Sequence, residues 1–229
     1  MPARDAAQHE RHTAFEPAMS RHKYPRTPHL PWSPGASEDD VYLLDTSIFV
    51  GRDVVVTEKM DGENTTIYPD HVHARSLDSA HHPSRTAVKQ LQGLLAGSIP
   101  EGWRVCGENM QAVHSLAYTD LPAWFLLFSV WDQDNRCLAW EQAVEWAALL
   151  EVPTVPVLWR GVWDERAVRL VTANLDLTRQ EGVVVRVADS FSYSDFGTSV
   201  AKWVRPAHVT TDAHWLSKPV VHNGLRGAR

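Results

Sequence analysis

Cysteine is scarce in this chain: only Cys106 and Cys137 occur among 229 residues. Neither a disulfide framework nor a zinc-ligand pattern can be built from two such residues, and both read as buried, reduced thiols. No run approaches the ~18 apolar residues of a membrane-spanning helix. The first 30 residues are rich in His, Arg and Pro and lack the apolar stretch of a secretion signal. A cytoplasmic protein that does not engage membranes is expected. An excess of basic charge is also missing, since 22 Lys and Arg stand against 28 Asp and Glu, a formal net charge of −6. That balance argues against a broad phosphate-binding surface but leaves room for a local basic track, because affinity follows the phosphates contacted. There is no Gly-x-x-x-x-Gly-Lys-Ser/Thr loop, no internal repeat and no low-complexity block.

What is present suits a folded domain: 44% of residues are hydrophobic and 10 are Trp. Residues 1–22 mix charge, Ala and His without periodicity and read as an N-terminal tail, leaving 23–229 as one domain. Lys23-Tyr-Pro-Arg-Thr-Pro-His-Leu-Pro-Trp-Ser-Pro34 holds four prolines in twelve residues. Proline fixes φ and disfavours helix in its predecessor, so this stretch must run extended, with Tyr24, Leu30 and Trp32 as anchors.

From Val54 onward strand signals dominate. Val54-Val-Val-Thr57 is β-branched, stops at the turn pair Asp61-Gly62, and resumes as Asn64-Thr-Thr-Ile-Tyr68. Residues 84–97 predict a helix with Val88, Leu91, Leu94 and Leu95 on one face. Trp103 to Cys106 and Phe125 to Trp131 predict strands, and 139–150 an amphipathic helix ended by Val152-Pro-Thr-Val-Pro156. Ala167 to Leu175 fits helix or strand; Gly182 to Arg186 and Ser199 to Val204 predict strands. The fold class is therefore α+β, with mostly antiparallel sheets and flanking helices.

The chemistry centres on Glu58-Lys-Met-Asp-Gly-Glu-Asn64. A lysine at the end of a strand, two residues before Asp-Gly, places an amine beside a turn whose N–H groups could face a phosphate. To act as a nucleophile the amine must be neutral, although free lysine titrates near ~10.4; desolvation or a neighbouring cation would have to lower it. The alternative is a hairpin with a surface lysine at its mouth.

Lys-x-Asp-Gly-x-Asn resembles the nucleophile motif of the covalent nucleotidyltransferases, the superfamily of ATP-dependent DNA ligases, RNA ligases and mRNA-capping enzymes. Companion elements follow in order. His73-Ala-Arg-Ser76 resembles the element whose arginine, here Arg75, contacts nucleotide and nucleic-acid end. Gly107-Glu108-Asn109 resembles the one whose glutamate holds the ribose. Leu126-Leu-Phe128-Ser-Val-Trp-Asp132 is similar to the element whose aromatic ring, here Phe128, stacks on adenine. Glu181-Gly-Val-Val-Val-Arg186 and Ala201-Lys202-Trp-Val-Arg205 resemble the last two, the second supplying a lysine to the α-phosphate. The family places two lysines two residues apart in that last element. Here Lys202 is flanked at that spacing by Val200 and Val204, and Arg205 faces away if the strand is regular. Each residue alone has an ordinary reading: Phe128 as core, Arg75 as surface, Glu108 and Glu181 as solvated carboxylates. Their joint order carries the resemblance.

Several features are similar to the RNA ligases in particular: Asn64 in the nucleophile motif, the 23–31 stretch, and His208-Val-Thr-Thr-Asp-Ala-His-Trp215. Only 24 residues follow Arg205, so an adenylyltransferase domain without an OB-fold is expected. The resemblance spans roughly 23–215 and implies an ATP-dependent RNA ligase. It would join 5′-phosphate and 3′-hydroxyl ends through lysyl-AMP on Lys59 and an adenylylated 5′ end. Lys59, Asp61 and Asn64 would be catalytic; Glu58, Lys59, Arg75, Glu108, Phe128, Glu181 and Lys202 would bind ATP. Glu181 would orient Mg²⁺ or Mn²⁺, and Lys23, Arg26, Asn64 and Arg75 would meet RNA. An end-healing kinase or phosphatase partner would fit that activity. A minimal DNA ligase, another lysyl-nucleotidyltransferase and a silent adenylate- or RNA-binding module remain alternatives. His71, His73, His81 and His82 lack a second ligand set at helical or strand spacing, and no zinc site is expected.

Overall fold

β-Branched residues fill two antiparallel sheets whose inner faces meet across a large cavity. A computed structural model of the chain describes residues 20–35, 39–206 and 219–227. Strands β1 (Asp53–Lys59), β7 (Val157–Val162), β8 (Gly182–Val187) and β10 (Val200–Val204) form one sheet in the order β10-β8-β1-β7. The second runs β3-β2-β4-β5-β6-β9, built from β2 (Glu63–Ile67), β3 (Val72–Ala74), β4 (Arg104–Asn109), β5 (Phe125–Trp131), β6 (Arg136–Cys137) and β9 (Phe191–Ser192). The expected α+β class with antiparallel pairing is what the chain adopts.

Alternation along the strands assigns each face. On the four-stranded sheet Val54, Val56, Val183, Val185, Ala201 and Trp203 point outward into a core shared with Val168 of α3 (Glu165–Ala173). On the six-stranded sheet Ile67, Val105, Leu127 and Val130 pack with Val88 and Leu95 of α1 (Thr86–Leu95) and Ala143 and Ala147 of α2 (Trp140–Leu149). The remaining faces look toward each other. Leu94, expected on the buried face of α1, is 80% exposed. Leu91 and Leu95 already cover the sheet on either side of it, and the helix stripe is narrower than four apolar residues suggested. The ambiguous 167–175 segment is helical as far as Ala173, where Asp164 caps the helix start, its carboxylate accepting from Arg166 N (2.8 Å) and Ala167 N (3.2 Å). The β7 strand was not anticipated; it lies at a sheet edge and its residues are mostly half-exposed.

The proline-rich stretch does run extended, and it adds a further pairing beside β10. Leu30 N donates to Lys202 O (2.7 Å) and Lys202 N to Pro28 O (2.9 Å), while His29 N turns the other way to Val41 O (2.7 Å). Leu30 is fully buried, and Tyr24 meets Phe128 and Phe196 edge-on, each at 5.3 Å between ring centroids. Both cysteines are buried and free. Among the described residues no helix is long and apolar enough to cross a membrane.

Two glycines test the packing in opposite directions. A Cβ at Gly182 would sit 2.0 Å from Trp203 O, a backbone atom that cannot yield, whereas one at exposed Gly93 in α1 would meet nothing within 4 Å. Gly182→Ala is expected to cost about 3 kcal/mol or more. Gly93→Ala should stabilise by about 0.5–1 kcal/mol through helix propensity, raising Tm by about 1–4 °C for a domain of this size. Parallel thermal melts check both signs.

Candidate active site

The cavity between the sheets encloses about 1530 Å³. Register explains which side chains enter it. Across the four-stranded sheet Lys59, Gly182 and Val204 share one row, and Thr57, Val184 and Lys202 share the next row of the same face. Lys59 and Lys202 are thus on a common surface, with side-chain-free Gly182 between the strands that carry them. Glu181 immediately precedes Gly182 and is 0% exposed. Its Oε2 accepts from Lys59 Nζ in a close ion pair. The β10 strand ends at Val204, so Arg205 lies beyond the regular alternation, and it lines the same cavity as Lys202. Arg205 N donates to Glu181 O (2.9 Å) and its guanidinium to Ser115 Oγ (3.3 Å).

The facing sheet supplies the opposite wall. Asn64 on β2 stands directly across from Glu108 on β4, and both line the cavity. The Asn64 Oδ1 is buried without a hydrogen-bond partner. Between β4 and β5 the register passes from Cys106↔Ser129 to Gly107↔Leu127, leaving Phe128 as the extra residue of a bulge. Bulges bend a strand and re-aim the side chain they carry. Phe128 is the one residue of β5 that is not fully buried, and its ring lines the cavity.

The Asp61–Gly62 turn is held tightly. A Cβ at Gly62 would lie 2.5 Å from Asn109 O, so only glycine fits between the turn and β4. Asp61, also buried, accepts at Oδ2 from Ser115 N (2.8 Å), Ser115 Oγ (2.7 Å) and Leu116 N (2.6 Å). It anchors the 113–118 loop beside the turn. Glu58 lines the cavity, receives Gln180 Nε2 at 3.0 Å, and has its carboxyl pushed up by burial.

Electrostatics at Lys59 run against the expectation of a lowered pKa. Burial does pull it down, but Glu181, Glu108 and Asp61 outweigh burial and hold the ammonium form. Glu108 is pushed up to about 8, first by burial, with Lys59 opposing and Glu181 and Asp61 reinforcing. Lys202 is lowered by burial and by Lys59, against the pull of Asp40, whose Oδ1 is 3.7 Å from its Nζ.

Of the other expected residues, Arg75 is exposed at the end of β3 and lines the cavity, as does Arg26, which donates to Asp39 O (3.1 Å). Lys23 is exposed and is not among the lining residues. The 208–215 stretch lies outside the described residues. Sequence reasoning passed over the 111–121 loop, the Arg85–Glu63 ion pair and the chain end at Asn223, none of which bears a pattern of its own.

Compared with known proteins, residues 52–204, about two thirds of the chain, match the family described as RNA ligase. The chain belongs to the RNA ligase family. Among solved structures it is similar to an archaeal ATP-dependent RNA ligase, 19% identical, with a TM-score of 0.57 over 80% of this chain and 48% of that one. A protein of Aquifex aeolicus assigned as an ATP-dependent DNA ligase is 20% identical, with a TM-score of 0.53 over 79% and 49%. A Naegleria gruberi RNA ligase with PPi is 20% identical, with a TM-score of 0.49 over 69% and 51%. At such identities the first two likenesses speak for the fold. The chain spans about half the length of these structures. No curated protein matches it.

Glu108 makes stability depend on pH in an unusual direction for a carboxylate. Between its ordinary value and about 8 the folded protein keeps a proton that the unfolded chain releases. Stability therefore falls as pH rises through that window. Melts of wild type and Glu108→Gln from about pH 5 to about pH 9 should show the downward slope flattened in the variant.

Proposed function

We propose that the chain is an ATP-dependent RNA ligase in which Lys59 carries AMP. The observation that supports this reading most is the shared face of Lys59 and Lys202, with Glu181 held against the amine and Phe128 and Glu108 on the facing wall. One amine nucleophile, cations for phosphate, carboxylates and an aromatic platform are the parts nucleotidyl transfer requires. In the first step Lys59 Nζ loses a proton and bonds to the α-phosphorus of ATP, while the bond to pyrophosphate breaks. A 5′-phosphate oxygen of the RNA then takes the AMP from Nζ. Finally the 3′-hydroxyl attacks that 5′-phosphorus, and AMP departs as the phosphodiester forms.

The residues divide by wall. Phe128 would stack on adenine and Glu108, neutral near pH 7, would hydrogen-bond the ribose. Lys202 would face the α-phosphate with Arg75 and Arg205 at the cavity rim, and Asn64 would meet the nucleic-acid end. Glu181 is a hard oxygen donor of the kind Mg²⁺ or Mn²⁺ takes. A divalent cation held there would offset phosphate charge and favour the neutral amine that the bare carboxylates disfavour.

Incubation with α-labelled ATP and denaturing electrophoresis tests the reading. Wild type should retain label, and Lys59→Ala should retain none while remaining folded, with a lowered Tm because buried Glu181 loses its partner; label on that variant at the wild-type level would falsify the assignment. In the same assay Phe128→Ala should weaken ATP use by the about 1–3 kcal/mol of an aromatic–base stack, and Phe128→Tyr should do so less.

RNA engagement should separate from adenylylation. Asn64→Ala, or Lys23 and Arg26 both to Ala, should keep self-labelling yet lower sealing of a pre-adenylated RNA. Since Arg26 lines the cavity and Lys23 does not, Arg26→Ala alone should account for most of the second effect. Sealing rates on RNA and DNA ends, with melting temperatures of the same variants, check this; equal loss of labelling, sealing and Tm would assign the segment to packing alone.

A further inference from the structure

The chain end returns to the nucleophile turn from more than a hundred residues away. Val113 N donates to Val221 O (2.8 Å), Asn223 N to Gln111 O (3.2 Å), Leu121 N to Gly224 O (3.0 Å) and Arg226 N to Leu121 O (2.8 Å). Residues 221–226 thereby grip both ends of the 111–121 loop, while Pro219, Val220 and Val221 border the cavity. The grip is centred on Asn223, which is 5% exposed. Its Nδ2 donates to Met110 O (2.8 Å) and Ala112 O (3.0 Å), and its Oδ1 accepts from Tyr118 N (2.8 Å). Gly224 N completes the bracket at Tyr118 O (2.6 Å).

What this bracket holds is the link to Lys59. Tyr118 Oη accepts from Asp61 N (3.1 Å), and Asp61 Oδ2 in turn holds Ser115 and Leu116 of the same loop. A path of hydrogen bonds therefore runs from Asn223 through Tyr118 to the residue two positions after the nucleophile. Asn is the side chain that suits the bracket: two amide hydrogens face two carbonyls, and one amide oxygen faces an N–H. Asp would lose both donors and aim a charge at carbonyl oxygens.

We propose that residues 219–226 are a positioning strap for the adenylylation step, with Asn223 as its positioning residue acting through Tyr118 on the Asp61–Gly62 turn. The inference rests on the ligase reading of Lys59. Removing the strap's central bonds lets the turn and the amine drift from in-line attack. A displacement of a fraction of an ångström slows the bond-forming step more than it weakens ATP binding.

The test uses the full chain with α-labelled ATP under single-turnover conditions, with rates expressed per folded molecule. Asn223→Ala and Tyr118→Phe are each expected to slow lysyl-AMP formation about tenfold at saturating ATP, with the ATP concentration for half-maximal rate shifted by less than about twofold. The double variant should be little slower than either alone, because both cut one path. A purely structural strap would lower Tm and the folded fraction while leaving the rate per folded molecule unchanged, and that result overturns the proposal. If Asn223→Ala does not fold, Tyr118→Phe decides, since it removes only the hydroxyl and leaves every strap-to-loop bond in place. Wild-type protein that takes no label would defeat the ligase reading itself, a distinct outcome from labelled wild type with unaffected variants.

Discussion

A carboxylate with no exposure to water, Glu181, sits against the ammonium of Lys59, and the arrangement of the four-stranded sheet turns on that contact. An ionised carboxylate removed from water is costly unless a partner and hydrogen bonds offset the lost hydration. Breaking such a pair by removing one member costs about 3–5 kcal/mol, because the other charge is left buried. The pair can form only if β1 and β8 are registered with Lys59 beside Gly182, and that register brings Val204 into the row from the other side. Trp203 O then passes so near Gly182 that no side chain fits there. One ion pair thus ties together the end of β1, the start of β8 and the end of β10, and leaves an open surface where the three meet.

The same pair sets the resting electrostatics. Glu58, Asp61, Glu108 and Glu181 crowd one cavity, which is a poor receptacle for a polyphosphate on its own. Burial first, and then repulsion from Glu181 and Asp61, pushes Glu108 up to about 8, and Glu181, Glu108 and Asp61 hold Lys59 as ammonium against the effect of its burial. Arg75, Lys202 and Arg205 set positive charge in the same cavity, so its lining is mixed in sign although the chain carries a net charge of −6.

Much of this was legible in the residues. The strand–turn–strand at Val54 to Tyr68, the β5 strand and the extended proline-rich stretch follow from local rules of β-branching, turn chemistry and fixed φ. Lys59, Glu108, Phe128, Glu181 and Lys202 could be singled out from a resemblance, and the structure brings all five to one cavity. Other features depended on partners far along the chain. Whether Phe128 faced core or cavity is decided by a bulge, which exists only relative to β4. Arg205 reaches the cavity because β10 stops at Val204, and the sequence carries no stop signal before Pro206. The direction of the Lys59 shift depends on three carboxylates, two of them remote in sequence. The exposure of Leu94 depends on how little of α1 the sheet can cover.

Long-range register also explains why the site is an all-or-none property of the fold. Lys59 and Glu181 are 122 residues apart, and Asn64 and Glu108 meet only through β2–β4 pairing. Because side chains alternate faces with a period of two, a one-residue slip of β8 and β10 together against β1 would put Lys59 and Lys202 on opposite faces of the sheet. The same slip would put Val183 and Val185 into the cavity and turn Arg186 into the outer core. Burial of those valines, which drives folding, therefore selects the register that assembles the polar site. Apart from the turn that joins Lys59 to Asn64, the members of the two walls come from distant parts of the chain, so the hydrophobic pattern of the strands is what aligns them.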